Sequence, residues 1–339
     1  MISLANERVK PLIALGLMTI LWGCGWTVLK IGLIDAEPFK FTALRMSLSA
    51  IFLLLVLAFS GRPFLPTRVP ELIILGIIQT SLLFTLSTCA VDKGSSGRVA
   101  FLVYTMPFFT LILARLLLAE RIRGLQWIAI FLAFLGLLAI LQPWKQALTS
   151  DGGFLGVAAG AVWAISVIMV KKIQDKEPID MISMTAWQMT FGSIPLVLFV
   201  SFVDESPITW SIRFILVLAF IAIVITGLGW LLWVYALEKL EAGSASLITL
   251  ATPVVAISTS AFLLNENPNN IEIAGMTLIL IAVFLPLIFI DGIAGTLFRE
   301  TAIALSFSIV VSSFVALTLS PMLGSKFLTK KPTKNFIVT

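Results

Sequence analysis

Eleven stretches of the chain contain no Asp, Glu, Lys or Arg: 11–29, 46–61, 72–91, 99–114, 124–144, 152–170, 181–203, 214–237, 242–265, 273–290 and 301–325. A helix needs about 20 apolar residues to cross hydrocarbon, so runs of this length repeated through 339 residues leave little besides a bundle of membrane spans. The composition agrees, at 59% hydrophobic and 12% charged against about 45–50% and about 25% in soluble domains. In lipid, only helices and closed barrels satisfy every backbone group, and these runs lack the alternation of barrel strands. The sequence therefore predicts an all-α polytopic membrane protein.

The same composition removes whole classes of function. There is no His, and Cys24 and Cys89 are the only cysteines, so His/Cys metal clusters, Ser-His-Asp and Cys-His pairs and a disulfide framework are all excluded. No Gly-x-x-x-x-Gly-Lys-Ser/Thr loop is present, which disfavours direct use of ATP. Loops such as GRPFLPTRVPE at 61–71 and KKIQDKEPID at 171–180 are too short for a soluble domain, so any binding must occur among the helices. The net charge of +5 marks loops rather than a nucleic-acid surface. Arg8, Lys10, Arg62, Arg68, Arg115, Arg121, Arg123, Lys171, Lys172, Lys176 and Lys239 collect on one side of ten alternating spans. Lys30, Lys40, Lys93, Arg98, Lys145 and Arg213 collect on the other. This bias predicts a cytoplasmic N-terminus, and the polar start MISLANERVK predicts that the first run stays as an anchor.

An offset of 146 residues superimposes Ala90, Lys93, Gly97, Pro107 and Glu120 on Ala236, Lys239, Gly243, Pro253 and Glu266. An offset of 141 places Trp22 and Lys30 on Trp163 and Lys171, and one of 140 places Glu37-Pro38 on Glu177-Pro178. Two related halves follow, 1–145 and 146–290. Each holds five spans, and an odd number makes the second copy enter from the opposite face, as in inverted-repeat carriers.

The Gly-x-Ala pattern of Gly243 and Ala245, followed by Pro253, Glu266 and Gly275, resembles the EamA-type branch of the drug/metabolite transporter superfamily. Its degenerate partner is SSGRVAFLVYTMPFFTLILARLLLAER in the first half. The resemblance covers about 1–282. It implies ten transmembrane helices in two inverted five-helix repeats around a central cavity, and export of amino acids, related metabolites or drugs. Residues from about 283 to 329 instead resemble a fragment of a resistance-nodulation-division efflux pump, through Phe298-Arg299-Glu300 and the ALTLSPM stretch at 316–322. That piece carries a loop and one extra hydrophobic helix but none of the pump's proton-relay acids. After ten in-register spans, its crossing would leave Lys326, Lys330, Lys331 and Lys334 outside, against the charge rule. Residues 291–339 therefore read as an extension gained by fusion.

Polar and ionisable side chains inside spans are costly and are functional candidates by default. Arg45, five residues past Lys40, either snorkels to the outer interface or turns inward to hold an anionic group such as a carboxylate. Gln188 lies at the matching depth of the seventh span. Trp22 and Trp163, paired by the repeat and flanked by small residues, are candidates for a substrate pocket. Gln79, Tyr104, Trp230, Trp233 and Tyr235 lie at a depth that fits a cavity, whereas Trp127, Trp144 and Trp210 lie at ends where aromatic anchors sit. Pro107 and Pro253 predict a kink or break in the fourth and ninth helices. Glu120 and Glu266 end those helices, as loop charges or as a proton-accepting gate.

The resulting expectation is a carrier in a bacterial inner membrane, working by alternating access as a monomer or homodimer. Its partners are the bilayer, a small-molecule substrate and either a proton or a counter-substrate, with no cofactor and no nucleic acid. The competing expectation is a non-transporting membrane subunit or an inactive fusion product.

Overall fold

The computed structural model describes residues 2–118, 124–142, 151–240, 245, 248–249, 251–264 and 269–287. Glu120, Glu266, Trp144 and the extension at 291–339 lie outside these residues. Among the described residues the regular structure is entirely helical. The helices are α1 (Ile2–Gly32), α2 (Pro38–Phe59), α3 (Val69–Lys93), α4 (Ser96–Leu117), α5 (Gly124–Leu141) and α6 (Asp151–Lys176), then α7 (Met181–Val200), α8 (Ile212–Lys239), α9 (Ala251–Leu264) and α10 (Asn270–Leu287). Seven are long and apolar enough to cross a membrane: α1 from Lys10 onward, α2, α3, α4, α6, α7 and α8. The chain is a multi-pass membrane protein.

The side-chain pattern of α2 shows what holds such a helix in place. Thr42, Arg45 and Ser49 fall on one face at helical spacing and are buried, while Leu48, Ile51, Leu55 and Phe59 are exposed on the other. In a soluble bundle that polarity would be reversed. In lipid the aliphatic face meets hydrocarbon, and the polar face needs protein partners because each unsatisfied group costs several kcal/mol. α2 lies along α7, while its polar face finds partners in its own carbonyls and in α8: Thr42 donates to the Pro38 carbonyl, Arg45 to Thr226, and Ser49 to the carbonyls of Arg45 and Ala222.

Packing follows a pattern that survives exchange of each helix with the one five places later. α1 packs against α8 and α9, α6 packs against α3 and α4, α2 packs along α7, and α5 along α10. The first helix of each half thus lies chiefly against the other half. Each third helix also contains a π-helical turn, Gly76–Leu82 in α3 and Ile221–Leu228 in α8. The lysines paired in sequence act alike. Lys30 donates to the carbonyls of Val91 at 2.8 Å, Asp92 at 3.3 Å and Gly94 at 3.0 Å, at the end of α3. Lys171 donates to the carbonyl of Leu240, at the end of α8. A cation at a helix C-terminus satisfies carbonyls that the helix leaves open and complements its dipole.

Loops tie the halves together at both ends of α2 and α7. Beyond α7, Glu205 accepts from the backbone N–H groups of Phe39 and Lys40, both at 2.8 Å, and so caps the N-terminus of α2. Arg213 grips buried Asp35 through two nitrogens at 2.9–3.1 Å. Hydrogen bonds from Ser206 hold the Glu37 carboxyl below the ordinary carboxylate range, with Lys40 adding to the effect. At the opposite ends Asp180 caps α7 and pairs with Arg62. Because Glu205 is nearly buried and satisfies two orphan donors, Glu205→Ala should destabilise the folded protein by about 1–2 kcal/mol. A fall in the thermal midpoint of the detergent-solubilised chain would register this, and an unchanged midpoint would show the cap to be dispensable.

Candidate functional site

A cavity with about 520 Å³ of empty space, including its open mouth, lies between the halves. Six aromatic side chains contribute to its wall. Trp22 and Trp26 come from α1, one helical turn apart, Phe84 from α3, Tyr104 from α4, Trp163 from α6 and Trp230 from α8. The rings interlock edge to face or tilted. Trp22 lies 5.4 Å from Trp163 and 5.1 Å from Trp230, and Tyr104 lies 5.3 Å from Trp163. These are the offset and T-shaped arrangements that aromatic quadrupoles favour. Gly229 permits the approach of Trp22, since a methyl group there would sit on the indole. The Trp22 Nε1–H then donates to the Ile225 carbonyl at 3.0 Å, inside the π turn of α8. Trp163 Nε1 is buried with no hydrogen-bond partner among the described residues.

Among the described residues Arg45 is the one charged side chain in this wall. It lies two turns into α2, is 7% exposed and turns inward rather than snorkelling. Its Nε–H donates to Thr226 Oγ1 at 2.8 Å, and the guanidinium lies 4.8 Å from the centre of the Phe84 ring. Among the described residues no carboxylate lies within ion-pairing distance of it. At the position 146 residues before Thr226, Thr80 in the π turn of α3 donates to Gln188 Oε1 on α7 at 2.9 Å. One seam thus joins Arg45 to Thr226, and its mate joins Gln188 to Thr80.

The structure brings Trp22, Arg45, Tyr104, Trp163 and Trp230 into one wall. Gln79, Gln188 and Trp233 are buried but stand behind it. Trp233 packs its ring 6.1 Å from both Trp22 and Trp163. Helix α4 is interrupted at Tyr104–Thr105, with Pro107 in the first turn of the resumed helix, and Pro253 lies in the first turn of α9. Trp127 and Trp210 are exposed. Among the described residues no group of three or more His, Cys, Asp or Glu could hold a metal.

The EamA-like transporter family model matches residues 10–142 and again 151–288. The chain belongs to the EamA-like transporter family. A second match, to the AcrB/AcrD/AcrF family, covers residues 269–337 and overlaps the first along α10. An uncharacterized Bacillus subtilis transporter, YoaV, is 28% identical over 82% of this chain and 96% of its own length. A Salmonella typhimurium protein named as a probable amino-acid metabolite efflux pump is 29% identical over 79% of this chain and 92% of its own. A solved crystal structure at 14% identity superimposes with a TM-score of 0.68, covering 82% of this chain and 96% of that one, and so shares the fold. This EamA-like chain is accordingly a membrane transporter of small molecules and not an enzyme.

Sequence reasoning missed Trp26, Phe84 and Thr226, although each left a trace. Trp26 is one turn from Trp22. Phe84 is the 146-residue counterpart of Trp230, so carrying that candidate across the repeat would have found it, and Thr226 repeats Thr80 at the same offset.

Proposed function

We propose that this transporter exports or exchanges small metabolites bearing an anionic group, amino acids and related compounds foremost. Its two inverted five-helix halves, ten spans in all, rock about the aromatic cavity so that it opens alternately to either face. The observation that carries this reading is Arg45, a buried cation without a carboxylate partner among the described residues, in the wall of an aromatic cavity between the halves. Such a charge is tolerated in a span where a ligand or water completes its environment. A planar guanidinium accepts a carboxylate bidentately, while the electron-rich ring faces suit an ammonium or an apolar body. The exchange-symmetric packing, the two π turns and the two lysine clamps support the inverted repeat. Relatives named as amino-acid metabolite efflux pumps support the substrate class.

With the N-terminus cytoplasmic in a bacterial inner membrane, the Glu205 and Asp35 contacts close the outer face, and Arg62 with Asp180 the inner. Coupling is to a proton or to a counter-substrate. Residues 291–339 are an extension of pump ancestry that adds no relay of its own. Vesicles containing the full chain, loaded with radiolabelled amino acids, should release them faster than vesicles without it. Correctly inserted protein giving no flux with amino acids, other carboxylates or organic cations would overturn the carrier reading.

A further inference from the structure

Thr226 meets Arg45 across the interface between the halves, and its hydrogen bonds have a definite polarity. The hydroxyl donates its proton to the Ile221 carbonyl, five residues earlier, at 2.7 Å, a geometry that the wide π turn makes available. A hydroxyl has a single proton, so toward Arg45 it can act only as an acceptor. It takes the Nε–H at 2.8 Å. Phe84 lies against the same guanidinium at 4.8 Å. The protein thus engages the Nε edge and one neighbouring ring. The terminal nitrogens have neither a carboxylate nor a hydrogen-bond partner among the described residues, and Arg45 lines the cavity.

The other half carries the same threonine with the opposite polarity. Thr80 gives its proton to Gln188 Oε1, so the α3 turn faces α7 as a donor, whereas the α8 turn faces α2 as an acceptor. The repeated π turn thus meets a different partner in each half, a glutamine on α7 for Thr80 and a cation on α2 for Thr226.

We propose that Thr226 is a positioning residue that sets the plane of the Arg45 guanidinium and presents its two terminal N–H groups to the cavity. The carrier thereby selects carboxylates over neutral isosteres of the same shape. This rests on the reading of Arg45 as the anion site. The selection comes from geometry as much as from charge, because a bidentate pair needs the fork held in one plane.

The test uses 3-phenylpropionate and its uncharged isostere 3-phenylpropanamide, titrated against the purified full chain with tryptophan fluorescence as the readout. The wild type should favour the propionate. Thr226→Val should lower the ratio of propionate to amide affinity about tenfold, the scale of a hydrogen bond to a charged group, with amide affinity unchanged. Thr226→Ser, which keeps the hydroxyl, should restore most of the ratio. Thr226→Ala should repeat the loss without added bulk, so the result does not depend on how valine packs. Equal weakening of both probes would make Thr226 merely structural and overturn the proposal. An unchanged ratio in Thr226→Val and Thr226→Ala, with a collapsed ratio in Arg45→Gln, would overturn it while leaving Arg45 as the anion site. A wild type that binds no propionate, or an Arg45→Gln variant that keeps the ratio, would overturn the anion site itself and this proposal with it.

Discussion

Arg45→Gln should reduce transport of carboxylate-bearing and zwitterionic substrates by at least about 30-fold while sparing cationic ones. Removing one partner of a buried charge pair costs about 2–5 kcal/mol, and every 1.4 kcal/mol is about tenfold. The same variant should be no less stable than the wild type. Among the described residues the buried Arg45 side chain hydrogen-bonds Thr226 and lies against Phe84. A charge at the centre of a span costs about 2.5–3.5 kcal/mol, so glutamine relieves a penalty and can still bond the Thr226 hydroxyl. Flux assays with matched anionic and cationic substrates, alongside the thermal midpoint, separate the outcomes. Equal loss of both fluxes together with a lower midpoint would mean that Arg45 serves the fold and not the substrate.

Gly192→Val should abolish stable assembly, as the largest effect on folding. α3 and α7 touch backbone to backbone where the π turn of α3 begins. A methyl group on Gly192 would run into the Gly76 carbonyl, and one on Gly76 would lie 2.8 Å from the Gly192 nitrogen and closer still to the Gln188 carbonyl. Backbone atoms cannot swing aside as side-chain tips do, so the helices would have to part. The seam holds the Thr80–Gln188 bond and the Ser81 hydroxyl bonded to the Gly192 carbonyl at 2.6 Å. Separation would leave these groups buried and unsatisfied, at about 1–3 kcal/mol each, besides losing the close packing that small residues give membrane helices. Loss of monodisperse protein in detergent is the expected result. A variant that purifies with an unaltered thermal midpoint would show that the contact is looser than the structure has it.

How much of this could be read from residues alone depended on whether a feature belongs to one helix or to two. The spans are properties of single segments, so charge-free runs announced the seven helices long enough to cross a membrane among the described residues, and α4 is interrupted beside Pro107. Trp22 and Trp163 were legible because the repeat carries rare residues to matching depths. The direction of Arg45 was not. A long cationic side chain near a helix start can snorkel or turn inward with equal chemical sense, and the choice was made by Thr226 and Phe84 on other helices. Gln79, Gln188 and Trp233 had the right depth and type, yet stand behind the wall, because depth along a helix does not give rotation about it. The π turns left no mark in composition, since they arise where α3 and α8 press against α7 and α2.

The sequence by itself determined the medium, the helical class and the family, whose model matches the chain twice. Each of these follows from the cost of exposing polar groups to hydrocarbon and from residues repeated at a constant offset. Only the tertiary structure decided that the two copies are used differently. Under the repeat Thr80 and Thr226 are equivalent, but one donates to Gln188 and the other accepts from Arg45. A hydroxyl takes its role from whichever partner packing brings within 3 Å, and that partner lies more than a hundred residues away in the chain.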